Sequence, residues 1–120
     1  MTAETALVAV TEVLDSYESP AWATAKPKAT VVVSSHNRAR FLDDLIDKLT
    51  DQRGIDFEVI IVDNASADET WQTLTNRCAT APLPMTVLRV AFQPGPGIPR
   101  NTAITMARAE LIAITDDDCL

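Results

Sequence analysis

The sequence predicts an α/β fold built on a mostly parallel β-sheet with flanking helices. Four short apolar runs rich in β-branched residues predict strands, and they begin at Thr30, Phe57, Met85 and Leu111. Segments of about ten residues with helical spacing separate these runs, so we expect parallel strands joined by right-handed crossovers. At 120 residues, 47% of them hydrophobic, the chain can bury one core but holds no second domain of ordinary size.

The regular pattern is preceded by residues 1–29, which are expected to form an N-terminal amphipathic helix and a linker. The apolar residues that predict the helix recur at helical spacing, at Leu7, Val10, Leu14 and Tyr17. Pro20 and Pro27 then interrupt regular structure, and the stretch from residue 18 to residue 29 is therefore interpreted as the linker.

Three helices are predicted between the four strands. The first carries an apolar stripe over residues 41–49 and ends at a glycine suited to a helix C-terminus. The second begins at a capping box formed by Ser66 and Glu69. The third has Pro99 in its first turn and runs to about Ala109.

The charge and cysteine content argue against several classes of partner and location. Ten Lys and Arg against 17 Asp and Glu give a net charge of -7, which repels nucleic acid and anionic membrane surfaces. No apolar run approaches the roughly 20 residues that span a bilayer, and no signal-peptide pattern occurs. Cys78 and Cys119 lack CxxC spacing and histidine partners, so the expected location is the cytoplasm, either free or peripheral to the inner face of a membrane.

Polar residues collect at the carboxyl end of every predicted strand, where an open parallel sheet binds its ligands. We expect the first predicted strand to lie between the second and the fourth, so that Asp63 and Asp116 border one crevice. Helix N-termini and guanidinium groups at such an edge suit a nucleotide. The candidate nucleotide-binding residues are Ser34, Ser35, His36, Asn37, Arg38, Asp63, Asn64, Arg100, Asp116 and Asp117.

Three consecutive carboxylates, Asp116 to Asp118, follow the fourth predicted strand. They repel one another, and a hard divalent cation such as Mn²⁺ or Mg²⁺ would relieve that repulsion. In an extended chain Asp116 and Asp118 project to one side and Asp117 to the other, so Asp118 and Asp116 are the predicted metal ligands. The alternative interpretation is a solvated turn or the N-terminal cap of a further helix.

Three other positions each have a functional and an ordinary interpretation. Asp63 can accept the imide N–H of uracil, which cytosine does not offer, or it can be a common turn aspartate. Arg100 at a helix start suits a diphosphate or the edge of a base, or it can be a surface arginine after a Pro/Gly connection. His36 lies in a loop, where a histidine is more often incidental than catalytic.

The order of these motifs resembles the N-terminal half of family 2 glycosyltransferases. The resemblance covers residues 30–118 and consists of a strand followed by S-S-H-N-R, then E-V-I-I-V-D-N-A-S-A-D-E-T, G-x-P-R-N and T-D-D-D. Order and spacing together make it specific, although no single motif does. The resemblance implies a Rossmann-like domain of the GT-A type, truncated after the fourth strand, whose nucleotide-sugar-binding part is residues 30–120.

The resemblance also implies roles for the site residues. In the family the loop after the first strand and the aspartate matching Asp63 hold the base. The arginine matching Arg100 lies near the base or the diphosphate. The aspartate matching Asp116 approaches the ribose, and the one matching Asp118 binds the metal.

The sequence departs from the usual family pattern after the first and second strands. Ser34-Ser35-His36-Asn37 stands where Pro-Thr-Tyr-Asn is common, and Asp63-Asn64-Ala65-Ser66 stands where Asp-Asp-Gly-Ser is common. Because Ala65 replaces a glycine, we expect that this position does not require a positive φ.

The implied function is the transfer of a sugar from a nucleotide-diphosphate sugar, with a UDP-sugar favoured, to an acceptor hydroxyl. The reaction would invert the anomeric carbon, with the metal stabilising the departing diphosphate. The acceptor, a sugar, lipid or polypeptide, is left open. The half that binds it and carries the general base is expected beyond residue 120, so this part should bind rather than catalyse. An uncovered sheet edge would favour self-association.

Two alternatives to glycosyl transfer stay open. A nucleotidyltransferase-like enzyme would also use a D-x-D and a metal, but it would carry a glycine-rich signature after the first strand. A non-catalytic nucleotide-binding module is the non-enzyme alternative. A dinucleotide dehydrogenase and a P-loop enzyme are disfavoured, since neither G-x-G-x-x-G after the first strand nor GK[ST] is present.

Overall fold

The computed structural model describes residues 9–52 and 56–116, which form a five-stranded sheet with helices on both faces. The strands are β1 (Val13–Glu18), β2 (Ala29–Ser35), β3 (Phe57–Asn64), β4 (Met85–Val90) and β5 (Leu111–Asp116). The helices are α1 (Ala39–Thr50), α2 (Thr70–Ala79) and α3 (Gly97–Thr105), and a short 3-10 helix covers Pro20–Ala23. Within the described ranges, no helix has the length and apolar character that crossing a bilayer requires.

The strand order is β1-β4-β3-β2-β5; the four strands from β2 to β5 are parallel to one another, and β1 pairs antiparallel with β4. The first predicted strand, now β2, therefore lies between the second and the fourth, as the sequence predicts. Ser35 pairs with Asp63 on one side, and Ser34 pairs with Asp116 on the other. The ends of these three strands thus meet at one edge of the sheet.

Alternating residues of the strands fill two separate cores, one on each face of the sheet. Val33, Val59 and Ile61 face α1 and α2, where Leu42 and Leu74 are fully buried. The opposite core is smaller and lies against α3; its buried members are Val32, Ile60, Val62, Leu88, Val90 and Ala103. Strands buried on both faces have the nearly continuous apolar sequence that predicted them.

The N-terminal helix prediction is wrong for residues 13–18, which form β1 antiparallel to β4. The predicted residue Leu7 lies outside the described residues. A strand is favoured over a helix here because β4 would otherwise leave a row of backbone N–H and C=O groups unpaired at the sheet edge. Tyr17 and Leu14, at positions of the predicted apolar stripe, are 50% and 56% exposed, so the helical periodicity did not report burial.

The start of one helix and the end of another also differ from the prediction. Ser66 does not cap α2; the carboxylate of Asp68 accepts the backbone N–H of Thr70 at 2.9 Å instead. The hydroxyl of Ser66 is already used, because it accepts the backbone N–H of Asn37 at 2.8 Å. Helix α3 ends at Thr105 rather than near Ala109, and the chain then turns into β5.

Helix α2 places Cys78 in the interior, where its side chain is 1% exposed. Burial, with a smaller contribution from the negative charge of Glu18, raises the pKa of the Cys78 thiol to about 11. The thiol is therefore protonated at neutral pH, and its position is explained by packing.

A buried glutamate ties the amino-terminal ends of the strands to the chain that enters β5. Glu58 is fully buried, and its Oε2 accepts the hydroxyl of Thr30 at 2.7 Å and the backbone N–H of Arg108 at 2.6 Å. Its other oxygen, Oε1, has no hydrogen-bond partner among the described residues. One carboxylate oxygen therefore links β2, β3 and the connection between α3 and β5.

Glu58→Ala is expected to lower the free energy of unfolding by about 2 to 4 kcal/mol, because it removes the acceptor of two hydrogen bonds and leaves a cavity. Glu58→Gln keeps an acceptor oxygen and most of the volume, so its loss should be clearly smaller. Urea denaturation followed by circular dichroism measures both. Equal stability of the two variants would show that the hydrogen bonds of Glu58 do not stabilise the fold.

Candidate functional site

A crevice of about 490 Å³ lies at the carboxyl ends of the parallel strands, beside the start of α3. Six of the residues that the sequence singles out line it: Ser34, Ser35, His36, Arg38, Asn64 and Arg100. The loop between β4 and α3 supplies the other lining residues, Phe92, Gln93, Gly95 and Pro96. Two of the predicted residues, Asn37 and Asp63, lie next to the crevice without lining it.

Asn37 fastens the loop after β2 to the loop after β3. Its Oδ1 accepts the backbone N–H of Ala67 at 2.7 Å, and its own backbone N–H donates to Ser66 Oγ. Its φ is 53°, in the left-handed region that asparagine tolerates better than most residues. Asn37 therefore shapes the crevice by holding two loops together.

Asp68 stabilises the same loop through its side chain. Partial desolvation acts to raise its pKa, but hydrogen bonds from the hydroxyl and backbone N–H of Thr70 and from the backbone N–H of Ala39 outweigh it and lower the pKa below its usual value. A lowered pKa means that the ionised form contributes stability above the ordinary aspartate pKa. That contribution is lost as the pH falls through the lowered value.

Ala65 has a φ of 51°, so the expectation that this position does not require a positive φ is wrong. The chain turns directly after β3, and a hydrogen bond from the backbone N–H of Ser66 to Asp63 Oδ1, 3.1 Å long, closes this turn around Ala65. The surrounding hydrogen bonds impose the left-handed conformation on a residue whose Cβ disfavours it.

His36 bridges the two loops at the mouth of the crevice. Its Nδ1 lies 2.6 Å from the carbonyl oxygen of Asn64, which can only accept, so Nδ1 carries the hydrogen. The Asn37 side-chain amide then donates to His36 Nε2 at 3.2 Å. The imidazole is exposed, and its ring centre lies 5.5 Å from that of Phe92.

Asp63 lies beneath the crevice and is fully buried. Its Oδ2 is 3.8 Å from Nε of Arg89 on the adjacent strand, and it has no hydrogen-bond partner among the described residues. Arg89 also donates to the carbonyl oxygen of Ser66 at 3.2 Å. In this structure Asp63 supports the turn after β3, and the residue of that turn that lines the crevice is Asn64.

Asn64 clamps the end of β3 to the loop that follows β4. Its Oδ1 accepts the backbone N–H of Gln93, and its Nδ2 donates to the carbonyl of the same residue, both at 2.8 Å. This pair fixes Gln93, and with it one end of the Gly/Pro loop. Phe92 and Gln93 are not among the binding residues that the sequence predicts. Their position, an apolar residue and an amide directly after a predicted strand, is a pattern that could have indicated them.

The crevice is basic although the chain is acidic. Arg38 and Arg100 line it, and no carboxylate is among its lining residues in the part of the chain that the structure describes. Arg100 lies in the first turns of α3, whose N-terminus is the positive end of the helix dipole. Such an arrangement attracts an anionic group.

The predicted metal ligands lie only partly within the described residues. The backbone of Asp116 ends β5 beside Ser34, which lines the crevice, so the acidic triplet starts at the edge of the site. Asp117 and Asp118 lie outside the described residues. No cluster of three potential metal-binding side chains occurs among residues 9–52 and 56–116. Carboxylates, the side chains of the triplet, are the donor type that Mn²⁺ and Mg²⁺ prefer.

Fold and site together define an α/β domain with a basic, polar crevice at the carboxyl edge of a parallel sheet. The sequence model of the family described as "Glycosyl transferase family 2" matches residues 30–120. The chain belongs to this family, and its fold is that of GT-A glycosyltransferases.

Curated relatives agree with this membership. The chain is 31% identical over 93 residues to the poly(ribitol-phosphate) beta-N-acetylglucosaminyltransferase TarS of Staphylococcus aureus, a match that covers 76% of this chain and 16% of TarS. It is 34% identical over 93 residues to the succinoglycan biosynthesis protein ExoO of Rhizobium meliloti, covering 77% of this chain and 26% of ExoO. The chain thus spans well under a third of the length of either relative.

Two solved structures resemble the chain at the level of the backbone. TarS 1-349 in complex with UDP-GlcNAc superposes with a TM-score of 0.67 at 29% identity, covering 76% of this chain and 26% of that one. The mannosyltransferase PcManGT of Pyrobaculum calidifontis, in complex with GDP-Man and Mn²⁺, gives a TM-score of 0.67 at 27% identity, covering 97% of this chain and 33% of that one.

Ala65→Gly is expected to raise the free energy of unfolding by up to about 1 kcal/mol, because glycine adopts positive φ without the steric cost that alanine meets. Ala67→Gly is the matched control, since Ala67 lies in the same turn without a positive φ. That change should lower stability by up to about 1 kcal/mol through the greater freedom of the unfolded chain. Chemical denaturation measures both, and two losses of equal size would contradict the strain at Ala65.

Proposed function

We propose that this chain is the donor-binding part of an enzyme that transfers a sugar from a nucleotide-diphosphate sugar to an acceptor hydroxyl. The acceptor oxygen attacks the anomeric carbon while the bond to the nucleoside diphosphate breaks, and the configuration inverts. Family membership and two similar structures with bound nucleotide sugars support the proposal. We assign donor binding to the described residues and leave the acceptor and the general base unassigned.

The observation that carries the proposal is the local reversal of charge in the crevice. The chain has a net charge of -7, yet the described residues that line the crevice include two arginines and no carboxylate. The N-terminal turns of α3 add the positive end of a helix dipole. A diphosphate is the part of a nucleotide sugar that matches such a surface.

A planar base has suitable neighbours at the mouth of the same crevice. The rings of His36 and Phe92 lie beside each other there, and Phe92 is 60% exposed. Asn64 and Gln93 add amide groups that can bond to the edge of a base. UDP is the favoured nucleotide on the family resemblance, and the buried position of Asp63 makes Asn64 the nearer candidate for a contact with the base.

The donor set at the end of β5 fits a divalent metal. Asp116 starts the acidic triplet at the edge of the crevice, and Asp116 and Asp118 are the proposed ligands. A bound Mn²⁺ or Mg²⁺ would supply positive charge for a departing diphosphate. Arg38 and Arg100 hold and orient the nucleotide, while Asn37 and Asn64 fix the loops that surround it.

The cytoplasm, with the protein free or peripheral to the inner face of a membrane, is the location that we propose. The buried, unpaired thiol of Cys78 is compatible with a reducing compartment.

Arg100→Ala is expected to weaken the binding of UDP, measured by calorimetry with Mn²⁺, by about ten- to a hundredfold, because a charged hydrogen-bond donor is lost. Arg40→Ala is the matched control: it removes the same charge from an exposed arginine that does not line the crevice. Arg40→Ala should leave the affinity nearly unchanged. Equal weakening by both variants would point to net charge alone and against the assigned crevice.

Removal of the metal ligand should abolish most of the gain that Mn²⁺ gives to UDP binding. We expect this of Asp118→Asn, because a diphosphate and an acidic turn repel each other unless a cation bridges them. Asp117→Asn should remove less, since Asp117 would act mainly through local charge. Calorimetric titration with Mn²⁺ and with a chelator compares both variants, and equal affinity of the wild type under the two conditions would refute the metal site.

A further inference from the structure

We propose that residues 9–12, which precede β1, act as a brace that positions the crevice wall between Gln93 and Arg100. The family match begins at residue 30, so this segment is not part of the matched region. The inference assigns these residues a positioning role at the donor site and therefore rests on the proposed function. Its first test does not need a nucleotide.

The wall that needs positioning is the loop between β4 and α3. Residues 94–97 are all exposed, and Gly95 has a φ of 84°, so the loop has little packing of its own. It nevertheless supplies four of the ten residues that line the crevice. Its place therefore depends on how its two ends are held.

The brace contacts both ends of this loop. On the β4 side, Gln93 Nε2 donates to Thr11 Oγ1 at 3.3 Å. On the α3 side, the backbone N–H of Thr11 donates to Thr102 Oγ1 at 3.0 Å, and Asn101 Nδ2 donates to the carbonyl of Ala9 at 3.1 Å. Asn101 directly follows Arg100, which lines the crevice.

The position of the brace is itself fixed by the sheet. Val13 packs against the core beside α3, and the strand that follows pairs with β4. At the far end of β1, Ser19 Oγ donates to the carbonyl of Leu83 and accepts the backbone N–H of Met85. Strand β1 thus anchors a short segment that reaches across the base of the loop.

The first test breaks the brace and measures amide hydrogen exchange of residues 91–100 without ligand. Thr102→Val removes the acceptor for Thr11 and keeps the volume, whereas Thr102→Ser keeps the hydroxyl. We expect exchange about three- to tenfold faster in Thr102→Val and near the wild-type rate in Thr102→Ser. Unchanged protection in Thr102→Val would overturn the brace whether or not the chain binds a nucleotide.

A second pair of variants separates the brace from the internal hydrogen bond of Thr102 to Ile98. Asn101→Ala removes only the contact to Ala9, and Asn76→Ala makes the same change on an exposed position of α2. Asn101→Ala should accelerate exchange in residues 91–100, and Asn76→Ala should not. Equal behaviour of the two would contradict the proposal.

The second measurement is the affinity for UDP with Mn²⁺, with Glu58→Ala as the control for general loss of stability, because Glu58 lies at the amino-terminal ends of the strands and does not contact the brace. We expect Thr102→Val to weaken binding about three- to tenfold, with rescue by Thr102→Ser. Glu58→Ala should lower the melting temperature and leave the affinity unchanged. Loss of affinity that tracks melting temperature in all variants would overturn the positioning role. A wild type that binds no UDP but loses loop protection in Thr102→Val would refute the proposed function alone.

Discussion

The parallel register of β3, β2 and β5 is the constraint on which the rest of this molecule depends. It aligns Ser35 with Asp63 and Ser34 with Asp116, so that residues about thirty and eighty positions apart in the chain reach one edge. The two cores, one on each face of the sheet, hold this register, since a slip of one residue would turn every buried valine and isoleucine to the opposite face. The packing of the two cores therefore determines which polar residues meet at the carboxyl edge of the sheet.

At that edge, polar side chains hold the loops in place without any ligand. Asn37 joins the first two loops, accepting the backbone N–H of Ala67 and donating its own backbone N–H to Ser66 Oγ. Asn64 joins the second loop to the backbone of Gln93 through both atoms of its amide group. Together with the turn after β3, these contacts hold Asn37 and Ala65 at positive φ. The turns are thus set in advance, which reduces the ordering that a ligand would otherwise have to induce.

Much of this arrangement could be predicted from sequence because the central strands are buried on both faces and their apolar runs are unambiguous. The position of β2 between β3 and β5 and the six predicted residues that line the crevice follow from that pattern. Strand β1 could not be predicted, since edge pairing with β4 leaves most of its side chains exposed and imposes no period of two. The turn at Ala65 failed for a related reason: long-range hydrogen bonds, which no local propensity reports, overrule the preference of alanine.

The distribution of charge connects the fold to the proposed chemistry. The net charge of -7 repels an anionic ligand, whereas Arg38, Arg100 and the start of α3 converge at the crevice and attract it. The acidic triplet that begins at Asp116 would oppose this attraction if it stood alone. A cation held there reverses its sign, so the carboxylates and arginines would then act on the same diphosphate from two sides. Electrostatic complementarity of this kind requires both the arginine wall and the end of β5 to keep their positions, and the sheet and the brace supply that rigidity.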